Sequence, residues 1–185
     1  MQIVDSYSEE YFSNAYSLSS VSITKAGQSF TGDGGTLNSV KFFLSKHGSP
    51  TGNAVVKIYA HTGTFGVDGI PTGSALATSE TIDVSTFDPS DYIEQTFIFN
   101  GINKITLVNG TKYFVLLEYS GGNQSDFISI ASYLNSEHGG NAAFFWSPDW
   151  NAVSDQDCGF YVYKDDVVSS VLKDIIQPGI IPFPR

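Results

Sequence analysis

Residues 34–63, GGTLNSVKFFLSKHGSPTGNAVVKIYAHTG, alternate twice and turn once. In the first run Val40, Phe42 and Leu44 fall on one side of an extended chain, and Lys41, Phe43 and Ser45 on the other. In the second, Ala54, Val56, Ile58 and Ala60 oppose Val55, Lys57 and Tyr59. A period of two with one apolar face marks an antiparallel strand half buried against a core. Between the runs Pro50 fixes one backbone angle and Gly52 tolerates a positive one, so the chain turns there.

The same pattern extends outward in both directions. KYFVLLEY (112–119) sets Phe114, Leu116 and Glu118 against Tyr113, Val115, Leu117 and Tyr119. Shorter runs at 21–24, 95–100, 104–108, 127–133, 142–147 and 159–164 read as strands too. TGDGG, NGT, SGGN and HGGN supply the turns between them. HTGTFGVDGIPTGS (61–74) is too long and glycine-rich for a tight turn, and it predicts a loop crossing between two sheets. About nine strands with such a crossing suit an all-β, antiparallel two-sheet sandwich of jelly-roll type.

Composition agrees and excludes several function classes. Fourteen Phe and ten Tyr in 185 residues suit a packed core, and 18 Gly suit frequent turns. The net charge is −10, and the nine basic residues form no cluster, so nucleic acid and anionic membrane are poor partners. Cys158 is the single cysteine, which leaves no internal disulfide. No basic-then-apolar leader and no long apolar run occurs, so neither a signal peptide nor a membrane span is expected.

The succession GQSFT (27–31), residues 34–63, GIPTGSALATSETIDVS (69–85), TFIFNGINKITLVNGTKYFVLLEYSGG (96–122) and DQDCGFYVYK (155–164) resembles a jelly-roll domain of the "choice-of-anchor R" type. That domain recurs in large bacterial surface proteins and in phage virion or tail proteins. The resemblance covers roughly residues 27–164. It implies a sandwich fold and a surface or virion setting, and it implies no catalytic set. Cys158 stands where the family has a plain apolar or small residue, and the chain after Lys164 lies beyond the usual domain end.

Candidate chemistry is sparse. Catalysis by paired carboxylates needs two acids about 5–10 Å apart. Asp149, Asp155 and Asp157 lie close in sequence and Glu118 could face them, yet solvated loop acids are the commoner outcome. His47, His61 and His138 sit in three separate turns with no paired-ligand spacing, so they read as surface histidines and the metal set is none. Asp33, Asp155 and Asp157 supply oxygen ligands of the kind a structural calcium would take, without EF-hand spacing. In FFWSPDWN (144–151), Trp146 and Trp150 flank a turn, and their flat faces could stack on sugar rings while Asp149 or Asn151 binds hydroxyls. The alternative is a core cap, with Phe145 and Trp146 on opposite strand faces and Trp150 folded over an edge.

The sequence thus divides into a sandwich domain at 1–164 and a docking segment at 165–185. In the latter, Val167, Val168, Val171, Leu172, Ile175 and Ile176 follow helical spacing until Pro178-Gly179, and Ile180, Ile181 and Phe183 follow in an extended tail. The functional expectation is a non-enzymatic structural or adhesion component of a virus-like or extracellular assembly: a virion surface, tail or capsid-decoration protein. Its partners would be other subunits and surface glycans. The alternative is a carbohydrate-binding module acting at a cell surface.

Burying the tail's apolar side chains contributes about 1.5–3 kcal/mol each, and ordering its backbone costs about 1–2 kcal/mol per residue. These terms nearly cancel, so the segment needs a receiving surface, which we place on a neighbouring subunit. Deleting residues 167–185 should leave a folded, soluble sandwich that no longer joins its assembly, as read by size-exclusion chromatography. Unfolding of the truncated chain, or its normal assembly, would contradict this.

Overall fold

The computed structural model describes residues 1–9, 11–134 and 137–166. The docking residues Val168, Val171, Leu172, Ile175, Ile176, Ile180, Ile181 and Phe183 lie outside the described residues. The strands are β1 (Gln2–Tyr7), β2 (Asn14–Leu18), β3 (Lys25–Thr31), β4 (Leu37–His47), β5 (Asn53–Thr62), β6 (Ile70–Thr78) and β7 (Ile82–Asp83). They continue with β8 (Ile93–Ile98), β9 (Lys112–Glu118), β10 (Phe127–Leu134), β11 (Ala142–Trp146), β12 (Asp149–Val153), β13 (Gln156–Cys158) and β14 (Phe160–Lys164). The helices described are single 3-10 turns at Val84–Thr86 and Gly101–Asn103.

Among the described residues these strands form two seven-stranded antiparallel sheets packed as a sandwich. The first follows the order β1-β14-β4-β10-β13, with β2 on β10 and β8 on β4. The second runs β12-β11-β3-β9-β5-β6, with β7 on β5. The chain changes sheet repeatedly, as from β3 to β4 and from β4 to β5. The turn at Pro50 is therefore a corner between sheets, where the Tyr119 hydroxyl donates to the Thr51 carbonyl (2.9 Å).

The alternation in β4 and β5 sorts as the sequence predicts up to Ile58. Ala60, read onto the same face, is half-buried past a register shift, and Ser45 and Tyr59 on the other face are buried too. Val40, Phe42, Leu44, Ala54, Val56 and Ile58 are all fully buried between the sheets. Strand β9 is buried on both faces. Tyr113, Val115 and Leu117 join the inter-sheet core. Phe114 and Leu116 form a second cluster on the outer face with Tyr59 and Ala143. That sheet therefore carries apolar mass on its outer side as well.

Three expectations change. Residues 61–74 do not cross between sheets: β5 and β6 pair within one sheet, from Lys57↔Thr78 to Thr62↔Ile70. The loop at the hairpin tip folds on itself through Thr64 and Asp68, whose carboxylate accepts the Thr64 N–H (2.6 Å), so its length does not imply span. Residues 21–24 form a loop, because Ser19 donates backbone-to-backbone to the Ile23 carbonyl (2.9 Å) and turns the chain back. Residues 104–108 make only an isolated bridge, Thr36↔Thr106, and Leu107 plugs the core from it.

Gly27 shows why one strand position tolerates no side chain. A Cβ there would lie 2.0 Å from the Val115 carbonyl oxygen of β9. Gly27→Ala should force β3 and β9 apart and destabilise the fold by about 3 kcal/mol, measured by urea denaturation. A wild-type denaturation midpoint would contradict this packing.

Candidate functional site

The hairpin β11–β12 sits at an edge of the second sheet and carries all four residues of the sequence-predicted glycan site. Its register pairs Trp146 with Asp149, Phe145 with Trp150 and Phe144 with Asn151. Residues directly opposite share a face, and successive residues alternate. Trp146, Asp149 and Asn151 therefore lie on one side of the hairpin, and Trp150 on the other. The two indoles do not form one platform; each belongs to a different depression.

Trp146 is 61% exposed. It lines a cleft of about 380 Å³ at the end of the sandwich, with Ser17, Ser19, Val21, Ser22, Asn123, Gln124 and Phe127. None of these side chains is charged. Two loops build the cleft and are fastened together, for Ser20 donates from its N–H to the Gly121 carbonyl (2.8 Å) and from its hydroxyl to the Gly122 carbonyl (2.7 Å). Asn123 stiffens the second loop by accepting the Ser125 N–H (2.7 Å). Asp149 and Asn151 are exposed nearby on the hairpin rather than lining the cleft.

Trp150 packs against the outer cluster of Tyr59, Phe114, Leu116 and Ala143, 5.2 Å from the Phe145 ring. It borders a groove of about 530 Å³ whose other walls are Lys25, Lys57, Tyr59 and the β6 residues Pro71 to Ala75. Beside this groove Glu118 accepts from Lys57 (2.7 Å) and from the Tyr59 hydroxyl (2.7 Å), and pairs with Lys25 at 3.1 Å. Burial works against the Glu118 charge, but these donors outweigh it and hold the carboxyl below its usual range. Burial and the bonded carboxylate push the Tyr59 phenol up. The lysines do not stand out in sequence, and Glu118 reads there only as an acid that could face Asp149, Asp155 and Asp157, whereas its partners are Lys25, Lys57 and Tyr59. Their one signal was that Lys57 and Tyr59 share a strand face, and their convergence on Glu118 needs the pairing of three strands.

Several other titratable groups are tied down. His138, expected at the surface, is only 10% exposed and sits between Asp5 (3.2 Å) and Asp157 (3.7 Å). Gln28 donates to Asp157, and Asp5 accepts the Thr31 N–H (2.9 Å), so this cluster joins β1 and β13 of one sheet to β3 of the other. Asp33 pairs with Lys164. His47 ends β4 stacked on Phe127, and His61 lies within β5 stacked on Phe114; neither belongs to a turn, because each flat ring covers an aromatic neighbour. Cys158 is buried, and burial pushes its thiol well up. Among the described residues no group of three or more His, Cys, Asp or Glu side chains is placed to hold a metal ion. No described helix is long and apolar enough to cross a membrane.

No protein-family model matches the chain, so the choice-of-anchor R resemblance rests on the quoted residues alone. No curated protein matches it either. A solved structure of the cysteine protease and lectin-like domains of Cwp84, a surface layer associated protein of Clostridium difficile, is similar over 79% of this chain, with 12% identity and a TM-score of 0.47. The match spans 33% of that chain, and a likeness so slight says nothing of shared function.

The His138 cluster makes stability depend on pH. Burial disfavours the imidazolium, and the Gly140 N–H directed at Nδ1 (3.1 Å) opposes a proton there. The hydrogen bonds and charges of Asp157 and Asp5 prevail and push the pKa up from 6.5 to about 9. A raised folded-state pKa stabilises fully below the unfolded value and loses that effect as pH rises through the folded one. Asp5 runs the other way: its lowered pKa stabilises above 3.8 and fails as pH falls through the depressed value. The melting temperature should fall between pH 6.5 and 9, and His138→Gln should flatten that slope. An equal slope in the variant would contradict the assignment.

Proposed function

We propose that the chain is a non-enzymatic adhesion module, displayed at a cell or particle surface, that grips a neutral glycan in the Trp146 cleft. The observation that carries this is an indole 61% exposed among uncharged hydroxyl and amide side chains. A large aromatic left in water loses the burial that normally holds it. Its flat face suits the C–H side of a sugar ring, and Ser17, Ser22 and Gln124 offer donors and acceptors to ring hydroxyls without the desolvation cost of a charge, on a loop that Asn123 braces. The non-enzymatic reading is supported by the carboxylates themselves. Of the candidate acids, Glu118, Asp157 and Asp33 are each engaged by cations or an amide, and Asp149 stands exposed on the hairpin rather than lining the cleft.

A place in a larger assembly joins this reading. The chain leaves β14 through Asp165, which Lys104 and Asn38 hold at 2.8 and 2.6 Å. The apolar segment beyond it therefore starts from a fixed point on the sandwich. The virion, tail or capsid-decoration setting is drawn from the family resemblance.

The test is a broad glycan array read with wild-type protein and Trp146→Ala. Because the indole is exposed, the variant should melt within about 0.5 kcal/mol of wild type while losing all array binding. Failure of the wild type to bind any neutral glycan, or full binding by the variant, would sink the proposal.

A further inference from the structure

The groove on the far side of the hairpin has a different chemistry. Lys25 and Lys57 both serve the single carboxylate of Glu118, which leaves one positive charge uncompensated on a chain whose net charge is −10. Their side chains remain 31% and 27% exposed, whereas Glu118 is 13% exposed. The carboxylate is thus used up from within, while each ammonium, with three N–H donors, keeps donors for a ligand. Lys25 also lies 5.9 Å from the Tyr59 ring centroid and 6.0 Å from that of Phe145, so aromatic faces help hold it in place. Trp150 and the exposed Thr72–Ser74 edge of β6 complete the groove.

We propose that this groove is a second binding site, independent of the Trp146 cleft, for a carboxylate-bearing sugar such as a uronic or sialic acid unit. One negative charge matches the one uncompensated positive charge. A polyphosphate or nucleic acid would bring many charges to a chain that repels them, and no arginine fork is present in the groove to bind phosphate. The half-buried Trp150 indole beside the cations supplies the stacking surface that a sugar ring uses and that an extended acidic peptide does not require. Glu118 is the positioning residue: it draws two lysines from different strands to one place.

The two tryptophans make the test direct, since each indole N–H reports one site. The full chain, labelled with nitrogen-15, is titrated with trigalacturonate and with sialyllactose, and separately with the neutral controls, the trigalacturonate methyl ester and lactose. The Trp150 indole signal, assigned with Trp150→Phe, should shift saturably with at least one acidic sugar and not with its neutral control, while the Trp146 signal stays in place. Lys57→Gln should weaken that binding about tenfold, the size of one charge-assisted hydrogen bond. Thr72→Glu, a change at an exposed rim position that leaves the Glu118 cluster intact, should do the same by repulsion. The proposal is overturned if neither acidic sugar moves the Trp150 signal, if the neutral controls move it equally, if a tetraglutamate peptide binds as tightly, or if Thr72→Glu binds unchanged. A shift confined to Trp146 would support glycan binding in the cleft and overturn this second site.

Discussion

Strand β9 is buried on both faces, and the rest of the molecule is arranged around that constraint. Its inward side chains, Tyr113, Val115 and Leu117, enter the core shared by the two sheets. Its outward ones, Phe114 and Leu116, need cover of their own, and Tyr59, Ala143 and Trp150 provide it. The backbone is equally confined, because β3 approaches so closely that position 27 has no room for a Cβ. Glu118, the last residue of the strand, would be a costly charge at the edge of this apolar sheet. Lys25 from β3 and Lys57 from β5 meet it there, and a charge met by cations and a hydroxyl is tolerable where a lone one is not.

This arrangement explains why one hairpin serves two faces. The hairpin of β11 and β12, with β12 at the sheet edge, has one face that covers the apolar cluster with Trp150 and another that is left at the open end of the sandwich with Trp146. The first face inherits the lysines recruited by Glu118. The second meets the loops at 19–23 and 120–125, whose lining side chains are uncharged; the next residue, Asp126, turns its carboxylate to the Ser49 N–H and the Asn123 amide. One depression is therefore cationic and the other uncharged, although fewer than ten residues separate their tryptophans in the chain.

Much of the fold was legible because burial on one face imposes a period of two. β4 and β5 could be read nearly residue by residue, whereas the alternation in β9 showed a strand but not that its outer face, Phe114 and Leu116, is buried as well. β1 and β2 could not be read that way. Their Asp5, Ser6, Asn14 and Ser17 carry no apolar alternation, and they are strands because β14 and β10 offer them backbone partners. The loop after β5 misled by its length, since internal hydrogen bonds that no composition reveals fold it into a hairpin tip. At the site, the aromatic turn at 144–151 was visible but its division was not. Only the register shows that Trp146 and Trp150 face apart, and only strand pairing brings Lys25, Lys57 and Glu118 together. His138 was misjudged for the same reason: its carboxylate partners, Asp5 and Asp157, come from opposite ends of the chain.

Register is also where the account is most exposed, because a slip of one residue moves every side chain of a strand to the other face. Nuclear Overhauser contacts from the two indole rings read it directly. The account predicts cross-peaks from Trp150 to the Leu116 and Ala143 methyl groups, and from Trp146 to Val21 or Phe127. Contacts from both indoles to the same set of neighbours, or the reverse assignment, would contradict it.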